Sequence, residues 1–401
     1  MGFTKRLLGE QDDGGFSLRD PFRVACPTCI ADEGLKLFVS QHATDRACDF
    51  CGSADGYGLE LQSLFRYIAG CLSGEYDDPN DGVGWDGREG GWQGVDPFDS
   101  DDLLRELDEP LAHDLLRSEF VRAFSHEWCQ RDPYRLEYHE ALASSWEAFA
   151  AVVRNDPHRE LTSIGEETPS DDELFEPNRV LGEIGNTISN VEHHVPRTVV
   201  RGENVWRGRR HAAGEVYTTP GELGSPIAAI AGENRMTPAG VPVFYGSSDA
   251  DTARREVLQT GDGDMVTVAC WHVTEPIVYL DLASEIQLPT IFSQHGRMDR
   301  RWLRFLQRFA IEISQPYADP ASAIDYLPTQ RFTAYIRDTL RSANGSSVMA
   351  IRYRSAVPQS TGENWVVFVG SDECGPLDGG TLMQQIGELT VRIAVPPGPS
   401  R

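Results

Sequence analysis

Residues 235–257, RMTPAGVPVFYGSSDADTARREV, predict a strand, a turn and the beginning of a helix in one short stretch. Aromatic and β-branched residues in VPVFYG are typical of a strand, whereas DADTARREVLQ has helical spacing. An arginine, a tyrosine and a glutamate lie in or beside these elements, at Arg235, Tyr245 and Glu256. Such side chains can bind phosphate, stack on a ring and stabilise a cation. The stretch therefore predicts a mixed fold and raises the question of whether the three residues act together.

The rest of the C-terminal half also alternates between strand-like and helix-like segments. The further strand-like segments are MVTVACWHV, IVYLDL, VMAIRYRS and WVVFVG. One helix is predicted with an apolar face that includes Trp302, Phe309 and Ile313, and another near residues 328–342. This region is therefore predicted to be a mixed α/β or α+β domain of about 190 residues.

Residues 58–195 are predicted to be mainly helical, because apolar residues recur there at helical spacing. One such face consists of Leu61, Leu64, Phe65, Ile68 and Leu72. A second consists of Leu142, Trp146, Phe149, Ala150 and Val153. Between them, residues 75–110 contain thirteen acidic residues and two arginines, with glycines and prolines that interrupt any period. We interpret this segment as a long solvated loop, with a functional loop as the alternative.

Four cysteines near the N terminus have the spacing of a zinc site. Cys26 and Cys29 form CPTC, Cys48 and Cys51 form CDFC, and eighteen residues separate the two pairs. Each CxxC presents two thiolates to one metal ion, so a closed, structural zinc site is predicted. Two disulfides are the alternative, which the lack of a secretion signal disfavours.

The overall composition excludes some classes of function. The chain is 40% hydrophobic and 24% charged, and none of its apolar runs is long enough to cross a bilayer. The formal charge of −26 opposes binding to nucleic acid, which depends on basic residues that displace phosphate counterions. With no apolar N-terminal signal, a cytoplasmic location is expected.

Three segments of the C-terminal half resemble the RES family, whose members are NAD-degrading toxins with a fold related to ADP-ribosyltransferases. The stretch at 235–257 is similar to the core of the family, and VWRGRR resembles its arginine-bearing first strand. AIRYRSAVPQSTGENWVVF resembles its late, serine-bearing strand. The three segments occur in the expected order, and the resemblance covers roughly residues 198–375.

The resemblance implies a set of catalytic residues and a set of pocket residues. The catalytic residues implied are Arg207, Glu256 and Ser355. The pocket residues implied are Arg235 and Tyr245, together with Tyr326 and Gln330 from YLPTQRFTAYIR, which resembles the family's penultimate helix. We expect these side chains to share one cavity that holds NAD.

The residue types suit cleavage of the bond between nicotinamide and ribose, which builds positive charge on the sugar. Glu256 can stabilise that charge, and Arg207 and Arg235 can bind pyrophosphate or an attacking phosphate ion. Tyr245 can stack on a ring, and Ser355 can hydrogen-bond the substrate. As plainer alternatives, Glu256 is a solvated helix carboxylate and Arg207 belongs to a solvated basic cluster. Tyr245 is then a core aromatic residue at the end of a strand, and Ser355 an ordinary serine.

The helical region is more weakly similar to the HEPN-type domain that precedes RES domains in some bacterial proteins. The similarity rests on the four cysteines and on GREGGWQG. Many HEPN proteins are ribonucleases that use an arginine and a histidine four to six residues apart on one helix. Here only three residues separate Arg122 from His126 and Arg135 from His139, so ribonuclease activity is not expected.

These features predict a multidomain α+β protein with four parts. They are a zinc-knuckle segment (1–57), a helical HEPN-like domain (58–195), an RES-like NAD-binding catalytic domain (196–385) and a C-terminal tail (386–401). The predicted function is a toxin or defence-type enzyme that degrades NAD by phosphorolysis or hydrolysis. NAD is then the substrate, inorganic phosphate a candidate co-substrate, and an antitoxin or regulatory protein a candidate partner. The alternatives are an ADP-ribosyltransferase that modifies a protein, and a non-enzymatic zinc-binding interaction protein.

Overall fold

The computed structural model describes residues 15–53, 57–88, 90–159, 174–191, 199–200, 202–259, 263–315, 323–358 and 360–394. The chain forms two compact units. The first unit consists of residues 1–136 and 288–300, and the second of residues 137–287 and 301–401. Among the described residues, no helix has both the length and the apolar character needed to span a membrane.

In the part of the first unit that the structure describes, there are four helices and several short strand pairs. Its helices are α1 (Glu33–His42), α2 (Leu61–Leu72), α3 (Ser100–Glu106) and α4 (Asp114–Ala123). Its strands are β1 (Val24–Ala25), β2 (Leu59–Glu60), β3 (Tyr76–Asp77), β4 (Trp85–Asp86), β5 (Gly91–Trp92) and β6 (Cys129–Gln130). The pairs β1–β2, β3–β6 and β4–β5 are all antiparallel. All five apolar residues predicted on one face of α2 are buried, so this amphipathic helix is confirmed.

The second unit combines one large mixed sheet with helices. Its helices are α5 (Tyr138–Asn155), α6 (Val180–Asn190), α7 (Pro220–Leu223), α8 (Ala250–Gln259), α9 (Arg300–Ser314) and α10 (Ala323–Asp338). Its strands are β7 (Val199–Val200), β8 (Asn204–His211), β9 (Phe244–Ser247), β10 (Met265–Val273), β11 (Ile277–Leu282), β12 (Val348–Arg354), β13 (Glu363–Val367), β14 (Cys374–Pro376) and β15 (Met383–Ala394). The predicted mixed α+β architecture is confirmed.

Among the described residues the sheet has nine strands, in the order β14-β15-β10-β8-β9-β13-β12-β11-β7. Its strands are mainly antiparallel, with parallel pairs at β11–β12 and β14–β15. The central strands β8 and β9 pair through one residue pair only, Trp206 with Ser247. The sheet therefore has a fork between β8 and β9. Arg207 lies on β8, Tyr245 lies on β9, and Glu256 lies on α8, which packs against β8.

The two faces of the sheet carry different cores. Val205, Phe244 and Trp365 belong to one buried cluster. Ala253 of α8 belongs to another, against which Trp206 packs. Since side chains alternate along a strand, α8 covers the face to which Trp206 and Ser247 point, and Phe244 points to the other face.

Two glycines allow close approach at the centre of the sheet. A Cβ added at Gly208 would lie 2.8 Å from the backbone oxygen of Ala253, so the absence of a side chain lets α8 rest on β8. A Cβ added at Gly246 would lie 2.3 Å from Cγ1 of Val205, which fixes the approach of β9 to β8. Gly208 therefore helps to set the position of α8 on β8, and Gly246 helps to set the approach of the two strands at the fork.

The compact units and the predicted domains divide the chain differently. Helix α5 belongs to the second unit, although the sequence grouped it with the N-terminal helices, and residues 288–300 belong to the first. Residues 386–394, predicted as part of a tail, continue strand β15 and pair with β10. The predicted boundaries remain predictions, because a compact unit and a domain need not coincide.

Candidate functional site

Glu256, on helix α8, is held by side chains from two separate parts of the chain. Ser355, directly after β12, donates its hydroxyl to Oε1 of Glu256 at 2.6 Å. Asn364, on β13, donates its Nδ2 to the same oxygen at 2.5 Å. Within the described residues both bonds end on Oε1, and Oε2 has no hydrogen-bond partner. Two predicted site residues, 99 positions apart in sequence, are thus in direct contact.

Sequence reasoning missed Asn364. Its Oδ1 accepts a hydrogen bond from the Ser247 hydroxyl at 3.0 Å while its Nδ2 serves Glu256, so the amide links β9 to the carboxylate. Asn364 is 6% exposed in a strand that is otherwise rich in apolar residues. A buried amide usually has a specific hydrogen-bonding task, and this polar residue within ENWVV was the available signal.

Arg207 does not join Glu256. It follows Trp206 on β8 and therefore points to the opposite face of the sheet, where its guanidinium lies 5.2 Å from the ring centre of Phe244. Its Nη1 donates to the backbone oxygen of Tyr245 at 2.8 Å and so bridges the fork between β8 and β9. The expectation of one cavity shared with Glu256 thus differs from the geometry, because strand alternation separates the two side chains.

The surroundings of Arg207 are unusual for a charged group. Burial, with a further contribution from the neighbouring Arg209, lowers its pKa to about 10. Its Nε is buried and has no hydrogen-bond partner within the described residues. Burying a charged group is unfavourable unless all of its hydrogen-bonding atoms are paired. These features are therefore typical of a structural guanidinium whose burial costs folding free energy.

Tyr245, on β9, fastens the loop that precedes the strand. The backbone N–H of Met236 donates to its hydroxyl at 3.0 Å, and the hydroxyl donates to Oδ1 of Asn234. Burial raises the pKa of Tyr245 well above its ordinary value. The hydroxyl therefore stays neutral and is engaged within the protein, while the residue lies on the α8 side of the sheet with Ser247.

Arg235 lies in the loop that precedes β9, and Gln330 contacts that loop. The guanidinium of Arg235 donates to the carbonyl of Ile313 at 2.7 Å and to that of Gln315, at the C-terminal end of α9. This is a favourable position for a cation at a helix end. Gln330, on α10 and 4% exposed, donates to the carbonyl of Asn234 at 2.8 Å.

Tyr326 is half-buried on α10, and the hydroxyl of Thr329 donates to its carbonyl at 2.9 Å. The Thr329 hydroxyl is also 2.6 Å from the carbonyl of Arg235. The predicted pocket residues therefore gather around residues 233–237, whereas Glu256 and Ser355 gather around Asn364.

The four N-terminal cysteines form one cluster, whose Sγ atoms all lie within 4.8 Å of one another. The distances are 3.4 Å between Cys26 and Cys51, 3.6 Å between Cys29 and Cys48, and 3.8 Å between Cys26 and Cys29. A tetrahedral zinc ion with Zn–S bonds of about 2.3 Å separates its sulfurs by roughly 3.8 Å, so the donor set fits zinc. All four thiols are free in this structure, since the Sγ–Sγ distances exceed the roughly 2.05 Å of a disulfide bond.

Backbone geometry supports the cluster. Cys26 follows β1, Cys29 ends a 3₁₀ turn at Pro27–Cys29, and Cys48 and Cys51 flank a tight turn before β2. Burial opposes ionisation of the Cys48 thiol, but backbone N–H groups of Cys51 and Phe50 outweigh it and lower its pKa to about 7. Donors aimed at sulfur are typical of turns that stabilise metal-bound thiolates.

The arginine–histidine pairs of the helical region have structural partners. Arg122 forms an ion pair with Glu119, and His126 lies beyond the end of α4 with its ring 4.2 Å from that of Trp128. His139 lies 3.0 Å from Glu137 at the start of α5, and Arg135 precedes that helix. Neither pair is contained in one helix.

Comparison with known protein families identifies two regions of the chain. The description HEPN/RES N-terminal domain 1 matches residues 41–158, and the description RES domain matches residues 204–378. The second region contains Glu256, Ser355 and Asn364, and the first begins between the two cysteine pairs. A comparison with curated proteins gives no match. The chain therefore contains an HEPN/RES N-terminal domain 1 followed by a RES domain.

Proposed function

We propose that the RES domain degrades NAD by cleaving the bond between nicotinamide and ribose. A RES domain indicates an NAD-related, toxin-like enzymatic function in general. The observation that carries the finer proposal is the Glu256 carboxylate, which two donors hold by one oxygen while the other is left for a ligand. We expect that second oxygen to accept a hydrogen bond from a ribose hydroxyl.

The reaction follows from the charge that it creates. When the C1′–N bond breaks, the electron pair leaves with nicotinamide, and positive charge develops on the ribose. Glu256 stabilises this charge more strongly in the transition state than in the bound substrate, which raises the rate. Water or phosphate then forms a bond to C1′, and in hydrolysis the water proton is released to solvent. The products are nicotinamide and either ADP-ribose or its phosphate ester.

In this proposal Ser355 and Asn364 act on Glu256. Both donate to its carboxylate and are expected to hold it aimed at the sugar. Ser355 uses its hydroxyl proton for this bond, and so we assign it a positioning role and not that of a nucleophile. The buried amide of Asn364 adds rigidity because Ser247 holds its other end.

We assign Arg207 a positioning role, in which it holds β8 and β9 together at the fork. Its bond to the carbonyl of Tyr245 joins β8 to β9 where the ladder between them ends. Arg235 retains the role of a pyrophosphate ligand only if NAD replaces the carbonyls of Ile313 and Gln315 as its partners. Tyr245 is expected to offer its ring to the substrate, since its hydroxyl already holds residues 234–236.

The proposal also includes a structural zinc site in the first unit. We propose that Cys26, Cys29, Cys48 and Cys51 bind one structural zinc ion in the reducing cytoplasm, where their thiols stay available. With four sulfur ligands the metal has no open position for a substrate, and it supplies folding stability instead of chemistry. An antitoxin or other regulatory protein is the expected partner of a toxin of this kind.

Product identification tests the proposed reaction. Purified protein is incubated with NAD in phosphate buffer and, separately, in a phosphate-free buffer of the same pH and ionic strength. We expect free nicotinamide in at least the phosphate arm, and mass spectrometry of the second product distinguishes ADP-ribose from ADP-ribose phosphate. Appearance of ADP-ribose attached to protein, without either free product, would support the transferase alternative. Stable NAD in both arms would contradict the proposal.

A further inference from the structure

A cavity of about 760 Å³ in the first unit lies beside the hairpin formed by β4 and β5. Trp85 and Trp92 are paired residues on this hairpin and both line the cavity. Their rings lie 5.0 Å apart between centroids at an interplanar angle of 78°. Two nearly perpendicular indole rings thus form a corner that is open to the cavity.

Trp85 is unusually exposed for its type, at 63% of its surface. Large apolar side chains that lie on the surface within a concave site often mark a binding surface. Trp92 is half-buried, and its indole N–H donates to Oε2 of Glu127 at 3.1 Å. One ring is therefore anchored by a carboxylate, and the other presents its surface to solvent.

The hairpin is held in a defined shape. The backbone N–H of Gln93 donates to the carbonyl of Gly84 at 2.8 Å, and its side chain donates to the carbonyl of Gly91 at 2.9 Å. Gly90 and Gly91 have φ angles of 97° and 137°, which disfavour any residue with a side chain. The backbone that carries the two rings is consequently held in one conformation.

The charge around the corner is negative. Asp96 and Glu127 line the cavity and are exposed, and none of the described residues that line it is a lysine or an arginine. Indole rings attract cations through their electron-rich faces, and arginine also stacks its planar guanidinium on them. A carboxylate beside the ring can accept hydrogen bonds from the same guanidinium.

We propose that this cavity binds an arginine side chain of a basic peptide segment in a partner protein. The guanidinium would stack on the exposed indole of Trp85 and donate hydrogen bonds to Asp96 or Glu127. The charge of −26 on the chain would favour the approach of such a segment. This site is independent of the proposed NAD chemistry and gives the GREGGWQG segment a function as a recognition surface.

Binding of defined peptides to the full chain tests the proposal. The probe is a fluorescein-labelled peptide with three arginines in a glycine–serine background, measured by fluorescence anisotropy at physiological salt. In a second peptide citrulline replaces each arginine, which keeps the shape and removes the charge. We expect binding of the arginine peptide and a loss of binding with citrulline.

Variants then test whether the Trp85 corner is the binding site. Trp85→Ala should weaken binding of the arginine peptide by roughly three- to thirtyfold. Tyr57→Ala is the matched control, because Tyr57 is also 63% exposed and does not line the cavity. Glu127→Gln and Asp96→Asn, both at exposed positions, should each weaken binding without affecting the circular dichroism spectrum.

Three results would overturn the inference. They are equal binding of the arginine and citrulline peptides, unchanged affinity in Trp85→Ala, and an equal loss of affinity in Tyr57→Ala. NAD consumption by the same variants is measured in parallel and should stay unchanged. The proposed recognition surface and the proposed NAD-degrading activity are therefore tested independently of each other.

Discussion

At the scale of single residues, the contact between Asn364 and Glu256 has the clearest chemical consequence. The amide presents an N–H group to Oε1 of the carboxylate and an oxygen to the hydroxyl of Ser247. No other uncharged side chain of the same size donates and accepts at once in this way. The arrangement thus suits a carboxylate oxygen on one side of Asn364 and a hydroxyl group on the other.

Replacing that amide by a carboxylate tests the arrangement. In Asn364→Asp two acidic groups lie about as close as the present 2.5 Å contact. The aspartate no longer donates a hydrogen bond to Glu256, and two like charges at that distance repel each other, so Glu256 is less able to stabilise a cation. We expect NAD turnover to fall by roughly 10²-fold and Asn364→Ser to cost less.

Asn344→Asp is the control, since it makes the same change of charge at an exposed turn. Nicotinamide release at pH 7 is measured for all three variants. Equal loss of activity in Asn344→Asp, or full activity in Asn364→Asp, would show that the contact with Glu256 is irrelevant to the reaction.

The sequence predicted the identity of the site residues better than it predicted which residues they contact. Glu256 and Ser355 were expected in one site and are in contact. Arg207 was expected with them but lies on the other face, because the sequence does not show which face of β8 is covered by α8. Asn364 was missed because its partners are 108 and 117 positions away in the chain.

At the scale of elements, strands β11 and β12 are joined by a buried ion pair. Asp281 and Arg352 are partners in the parallel register, and Nη2 of the arginine lies 2.7 Å from Oδ2 of the aspartate. The guanidinium also lies 5.6 Å from the ring centres of both Tyr279 and Trp365. Asp281 is 1% exposed, so this pair stabilises the sheet only while both partners are present.

The pair predicts a defined pH dependence of stability. Burial by itself raises the pKa of Asp281, but hydrogen bonds from Arg352 and Ser284 outweigh burial and hold it below its ordinary value. A depressed pKa in the folded state means that the stabilisation is present above about pH 4 and is lost as the pH falls through the lower folded value.

We therefore expect Asp281→Asn to lower the free energy of unfolding by about 3 kcal/mol at pH 7. The difference from the unmodified chain should shrink below about pH 4. Urea denaturation at several pH values measures this, and Asp264→Asn, at an exposed position, is the control. A difference that grows on acidification would contradict the assigned ionisation.

Helices and strands were largely predictable from the sequence where apolar residues recur at regular spacing. The boundaries of β10 and β11 agree with the segments MVTVACWHV and IVYLDL. The apolar face of α5 was also predicted, but its partners were not. Trp146 packs against Phe309 and Phe332 of α9 and α10, and an amphipathic pattern shows that a face is buried without showing what covers it.

At the scale of the whole molecule, the first unit has a metal-binding cluster whose removal has a predicted effect. The thiols of Cys26, Cys29, Cys48 and Cys51 lie close enough to repel one another once ionised, unless a cation is present. We expect one zinc ion per chain by elemental analysis. We also expect a strong chelator to lower the melting temperature.

Cys51→Ser should remove bound zinc and reproduce the effect of the chelator. Cys129→Ser is the control, because Cys129 is buried in the same unit but lies outside the cluster. A chain that contains no zinc and melts at the same temperature with and without the chelator would contradict a structural metal site.

Release of nicotinamide from NAD by Glu256→Gln is the most direct test of the central claim, that one carboxylate of the RES domain drives cleavage. Glutamine keeps the size of the side chain and removes its charge, and Glu275→Gln makes the same change at an exposed position. We predict that Glu256→Gln lowers the rate of release by roughly 10²-fold or more while Glu275→Gln retains full activity. Glu256→Gln protein that is folded and releases nicotinamide at the unmodified rate would contradict the account.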